Sequence, residues 1–241
     1  MRISRWLLGT QTERRGPCLR HLAVGVSDEG HPVASGVATH VSQALSTVAT
    51  ARIGRMKRMR HPCFEGPEMV GRQGELAYMV CVRPDEPTVE AMAGQGVLDQ
   101  DVALQIAADV CEVLCALHRL GIAHGQVGPA SVHVRQQRDI VHGVLADPAA
   151  VLWPGAPHVA PEVRRGQVPD VRSDLYGVGR ILAALSPEEL EAPIAELIDS
   201  LLAEERMARP SSADETLQRI LAARDERRPT GWAKLISLFA S

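Results

Sequence analysis

The sequence predicts an α+β protein in two lobes, a small strand-rich one followed by a helical one. Three observations carry this reading. Leu22, Val24 and Val26 alternate with other residues and run into a turn at Ser27, Asp28, Glu29 and Gly30, which is a hairpin signal. Between Asp99 and Leu120 the apolar residues Val102, Ile106, Val110, Val113, Leu114 and Leu117 recur at helical spacing. From Ser173 to Leu185 the chain is apolar on most sides, the pattern of a buried helix (Leu175, Val178, Ile181, Leu182). Strands first and helices afterwards point to segregated elements rather than βα alternation.

The elements follow in order. After His31 and Pro32 a second short strand begins at Val33 and continues to Val37. From Ser42 to Met59, Leu45, Val48, Ala49, Ile53 and Met56 have helical spacing, and His61-Pro62 closes that helix because a residue before proline avoids the helical region. Leu76 to Val82 is a short apolar strand. Asp99 suits the N-cap of the long helix and Gly121 its C-terminal stop. Two more helices are expected near Glu188–Glu204 and Ser212–Arg224. The resulting division is residues 1–82, 83–228 and a tail, 229–241.

Composition excludes several function classes. The 241 residues suffice for a sizeable core. A net charge of -3 argues against a nucleic-acid binder. No apolar run is long enough to span a membrane, and Trp6, Leu7 and Leu8 are too short a stretch for a signal-peptide core. The five cysteines form no Cys-x-x-Cys pair, which predicts free thiols and a cytoplasmic protein. Cys111 and Cys115 share a helix face and read as core thiols, so neither a metal nor a cofactor is expected. The chain has only two lysines, Lys57 and Lys234, among 26 basic residues, and it has no asparagine.

Five landmarks then appear in a fixed order. Leu117-His118 is followed by Gly121-Ile122-Ala123-His124-Gly125-Gln126-Val127-Gly128-Pro129-Ala130-Ser131-Val132. Next come Leu145-Ala146-Asp147, the intact Ala160-Pro161-Glu162, and Ser173-Asp174-Leu175-Tyr176-Gly177-Val178-Gly179. Last is Leu201-Leu202 with Arg209-Pro210-Ser211. Together they resemble the catalytic loop, the Asp-Phe-Gly position, the Ala-Pro-Glu motif, the following helix and the terminal arginine element of bacterial-type serine/threonine protein kinases. Upstream, Val33-Ala34-Ser35-Gly36 lies where Val-Ala-Ile-Lys is expected, and Met59-Arg60-His61-Pro62 resembles the segment after the regulatory helix. The resemblance implies a two-lobed protein kinase-like fold.

It also implies a loss of chemistry. Phosphoryl transfer depends on positioning and electrostatics, supplied in this family by a phosphate-binding lysine, its glutamate partner, a catalytic aspartate and a magnesium-binding asparagine and aspartate. The matching positions here are Gly36, Arg52, Gln126, Ser131 and Asp147, with Gly128 in place of the loop lysine. Glutamine does not accept a hydroxyl proton, and one carboxylate is a poor magnesium site. Lys57 lies about 140° round the helix from Arg52 at 3.6 residues per turn, so it does not substitute for the lysine. The Gly-x-Gly-x-x-Gly loop is missing, and residues 9–16 read as a solvated loop. The residues retained are ones the family uses structurally: His124, Asp174, and the pair Glu162 and Arg209.

The resemblance therefore implies a pseudokinase that binds another protein, with no ATP and no nucleic acid as ligands. Residues 148–161 contain no serine, threonine or tyrosine for a phosphorylation switch, but are rich in proline and apolar residues, with Trp153 as the candidate anchor. Trp153 equally suits a packing role in the vacant cleft or beneath the loop. Two other functions are open: an atypical nucleotide-dependent transferase, and a structural module of a membrane-linked assembly contacting lipid through the 229–241 tail.

Overall fold

The computed structural model describes residues 2–3, 5–15, 18–41, 53–73, 76–82, 84–93, 99–146, 158–186 and 190–227. The first lobe is one antiparallel sheet. Its strands are β1 (Arg2–Ile3), β2 (Trp6–Arg15), β3 (Cys18–Val26), β4 (Pro32–Val41), β6 (Pro67–Gln73) and β7 (Leu76–Val82). They lie in the order β1-β2-β3-β4-β7-β6. The hairpin read from sequence joins β3 to β4, with Ala23 opposite Gly36 and Val24 opposite Ser35. Ser27 and Gly30 close its turn, Gly30 N donating to Ser27 O at 3.0 Å, with Gly30 at a φ of 86°. Both strands are longer than expected, 9 and 10 residues, because Pro32 already pairs with Val26 and the ladder runs on to Cys18 and Val41.

Of the solvated loop expected at residues 9–16, residues 9–15 are instead most of β2, paired with β3 from Trp6↔Gly25 to Arg15↔Cys18; Gly16 lies outside the described residues. Register shifts between Leu8 and Gln11 and between Gln11 and Glu13 break the alternation that would have marked a strand. Trp6 anchors the sheet: it is fully buried with Ala23, Tyr78 and Val80. Of the helix expected over Ser42–Met59, residues 42–52 lie outside the described residues; residues 53–56 are helical, with Ile53 and Met56 buried, and the helix ends there, because residues 57 and 58 form a turn ahead of His61-Pro62.

The second lobe is built around a helix. Its helices are α1 (Val89–Ala93), α2 (Gln100–Arg119), α3 (Pro161–Arg164), α4 (Val171–Leu185), α5 (Ala192–Leu201) and α6 (Ala213–Arg227). Asp99 caps α2, accepting from Asp101 N at 2.7 Å, and Gly121 follows the C-cap at a φ of 68°. Ile106, Val110, Val113, Leu114 and Leu117 of α2 are fully buried with Leu175, Val178 and Ile181 of α4 and Ile220 of α6. A three-stranded sheet, β5 (Phe64–Glu65), β9 (Ile140–Ala146) and β8 (Val132–Gln137) in that order, lies beside α2. Its β5–β9 pairing is parallel, and β8–β9 is a hairpin turning at Arg138, which has a φ of 56°. Among the described residues no helix is long and apolar enough to cross a membrane. The tail at 229–241 lies outside the described residues.

Candidate functional site

The segment from His124 to Ser131 hangs on the first turn of α4. Asp174 is buried, and its carboxylate accepts from His124 N (2.8 Å) and Gly125 N (2.8 Å), with His118 Nε2 2.9 Å away. A carboxylate bonded to backbone N–H groups makes stronger hydrogen bonds than a neutral acceptor, so this residue fixes the loop's path. Gly125 takes a φ of 83°, which glycine adopts readily. The His124 ring is fully buried, edge-on to Phe64 at 6.4 Å, and its Nδ1 accepts from Gln126 N at 3.3 Å. The loop presses so closely on α4 that a Cβ on Gly177 would stand 2.2 Å from Val127 O.

Besides His124, three more of the sequence-predicted site positions lie on this loop. Gln126 is half-buried. Ser131 is buried, and its hydroxyl accepts from Gly128 N (3.1 Å) and donates to Gly128 O (3.0 Å). Gly128 lies beneath His158: a Cβ built there would stand 2.7 Å from His158 Cβ. The His158 ring is held outside the loop with Nε2 3.3 Å from Glu90 Oε1. No sequence signal pointed to His158, which comes from an irregular segment 30 residues downstream of Gly128. Gly36 sits in mid-strand on β4, between Ala23 of β3 and Val82 of β7. Arg52, Asp147 and Trp153 lie outside the described residues.

The structure brings Glu162 and Arg209 together in the interior. Arg209 Nη1 donates to Glu162 Oε1 (2.8 Å) and Nη2 to Oε2 (2.9 Å). Arg209 also donates to the carbonyls of Ala203 (2.8 Å), Arg172 (3.1 Å) and Glu204 (3.2 Å), and Ser173 Oγ donates to Glu162 Oε1 (2.8 Å). Burial by itself would raise the Glu162 carboxyl, but hydrogen bonds from Arg209, the backbone and Ser173 outweigh it and hold the group below its ordinary range. The Tyr176 ring lies 4.9 Å from the guanidinium carbon, adding a cation–π contact that the motif did not foretell. Beside this pair opens a groove of about 510 Å³ lined by Pro161, Arg164, Arg165, Tyr176, Leu202 and Glu204.

Comparison with known proteins places this architecture. No family model matches the chain. In sequence it is 29% identical over 140 residues to the serine/threonine-protein kinase PknB of Mycobacterium leprae, and 29% identical over 142 residues to PknB of Mycolicibacterium smegmatis. Each match covers 52% of this chain but only 22% and 23% of those relatives' lengths. In structure it is similar to the PknI kinase domain of Mycobacterium tuberculosis, with a TM-score of 0.67 and 18% identity over 92% of this chain and 97% of that one. A crystal structure of Rad53 residues 1-466 in complex with AMP-PNP superposes with a TM-score of 0.70 and 16% identity, covering 89% of this chain and 64% of that one. The fold is that of protein kinases.

Proposed function

From a chain that has the protein kinase fold and whose sequence relatives are bacterial serine/threonine protein kinases, we propose a pseudokinase: a catalytically inactive domain that acts by binding another protein, as scaffold or allosteric regulator. The observation that carries this reading is the state of Ser131. At the position where the resemblance expects a magnesium-binding side chain, the hydroxyl is buried and bonded at both donor and acceptor to the backbone of Gly128. Next to it, His158 covers the point from which the loop lysine would project. Gln126 offers no base, and Gly36 offers no cation. The buried bonds of Asp174 and of Glu162 with Arg209 keep the loop and the groove in shape without supplying phosphotransfer chemistry.

A partner-binding role gives those retained bonds a purpose. They hold a defined face on the helical lobe, the groove beside Tyr176, whose lining residue Pro161 is the last of the 148–161 segment that carries Trp153 in the sequence. The deciding experiment is thermal denaturation with and without millimolar ATP and Mg2+. A ligand that binds only the native state raises Tm by mass action, so an unchanged Tm is expected. A clear magnesium-dependent rise would overturn the pseudokinase reading in favour of a nucleotide-dependent transferase.

A further inference from the structure

Away from the loop, three side chains of different chemistry converge where the second lobe's small sheet meets α2. Cys63 comes from the turn before β5, Asp109 from the middle of α2 and His142 from β9. One ligand-capable atom from each, the thiol Sγ, a carboxylate oxygen and an imidazole nitrogen, lies within 4.8 Å of the other two. His142 Nδ1 is 3.2 Å from Asp109 Oδ2. We infer that this triad is a binding site for a single borderline-soft divalent cation of the Zn2+ class, with Cys63, Asp109 and His142 as its ligands.

Geometry supports a built site. Tetrahedral zinc with bonds of about 2.0–2.3 Å sets its ligand atoms roughly 3.3–3.8 Å apart, so the triad closes on a cation by ~1 Å. Backbone bonds fix the ligands: Cys63 O accepts from Leu145 N at 2.9 Å, and Cys63 N donates to His61 Nδ1 at 3.2 Å. The Asp109 carboxylate is oriented by Gln105 Nε2 (2.7 Å) and Gly143 N (2.9 Å), the kind of outer support that metal-ligating carboxylates have. A Cβ on Gly143 would stand 2.8 Å from Ile106, so the strand carrying His142 sits tight on α2. Cys63 and Asp109 are buried, whereas the His142 side chain keeps 28% of its surface exposed, which leaves an entry path and a fourth position for water. A thiolate ligand selects against the hard cations Mg2+ and Ca2+.

On binding, the Cys63 S–H bond breaks, its proton goes to solvent, and the sulfur takes up the cation as a thiolate. The bound ion would tie the turn before β5, the long helix and the β8–β9 hairpin to one point. Sequence spacing hides the triad, because its members are tens of residues apart and none stands in a motif.

The test is titration of the purified full-length chain with Co2+, a spectroscopic stand-in for Zn2+, alongside a Zn2+ competition. One equivalent should bind with a thiolate-to-cobalt charge-transfer band in the near ultraviolet, and Zn2+ should abolish it. Cys63→Ser should lose the band, Cys111→Ser should keep it, and His142→Gln should weaken affinity at least about tenfold. No stoichiometric uptake, no thiolate band, or a band that survives Cys63→Ser overturns the assignment. If Cys63→Ser does not fold, His142→Gln decides: unchanged affinity overturns it. Neither result bears on ATP binding, so this site and the pseudokinase reading fail separately.

Discussion

Arg209 donates both of its Nη groups to Glu162, Nη1 to Oε1 at 2.8 Å and Nη2 to Oε2 at 2.9 Å, while its other N–H groups reach three backbone carbonyls. All five guanidinium donors are thereby satisfied in the interior. Removing the arginine would leave the Glu162 charge buried and take a donor away from three carbonyls. Loss of one partner of a buried ion pair costs about 3–5 kcal/mol. For a chain of this size Arg209→Ala should lower Tm by roughly 6–20 °C, whereas Arg55→Ala on an exposed face should leave it nearly unchanged. Equal melting temperatures would show that the pair does not support the fold.

Glu162 also sets an acid limit. Its carboxyl is held below its ordinary value, so the folded state favours the ionised form. The contribution to stability is complete above the unfolded value of about 4.3 and is lost as pH falls through the folded one. Glu86, lowered chiefly by its hydrogen bond from Arg135, and Glu215, lowered chiefly by the Ser211 hydroxyl, titrate in the same direction. Glu162→Gln should be less stable at neutral pH and should lose less Tm than wild type between about pH 5 and 3. Parallel acid limbs in the two proteins would remove Glu162 from the account.

Restoring the loop lysine should fail for a steric reason. At Gly128 a Cβ would meet His158 Cβ at 2.7 Å, and added bulk in a filled site costs about 1–3 kcal/mol. Gly128→Lys should therefore destabilise the chain, and His158→Gly in the same molecule should recover most of the loss. If Gly128→Lys is as stable as wild type, His158 does not close that space.

Trp153 separates binding from packing. Under the partner-binding proposal, Trp153→Ala leaves Tm nearly unchanged and abolishes co-purification of the partner. A large fall in Tm, or co-purification that survives the substitution, would place the binding face elsewhere.

How much of this was legible depends on which force wrote the pattern. The β3–β4 hairpin and α2 could be read because a turn and a buried stripe leave periods of two and 3.6 residues. Strand β2 could not: beyond Leu8 it is Gly9 and polar residues from Thr10 to Arg15, and its bulges shift the register. Strand β6 starts at Pro67 and holds Gly71, where a Cβ would strike the Tyr78 ring from the facing strand, so its edge position masked its strand character. At the loop, Asp174, Glu162 and Arg209 were legible because each stands in a local motif. His158 over Gly128 and the Cys63, Asp109 and His142 triad were not, because tertiary folding alone brings them together.

The two parallel rungs between Phe64–Glu65 and Leu145–Ala146 act as a mechanical coupling. One end of that ladder leads from the helical turn at residues 53–56 and continues into β6, an edge strand of the large sheet; the other is the strand whose next residue is Asp147. Because they join the stretch that runs into the large sheet to a strand of the helical lobe, any movement of one lobe against the other must either carry these rungs along or break them. A displacement of Phe64 is therefore passed through these rungs to Leu145, two residues before Asp147 in the sequence.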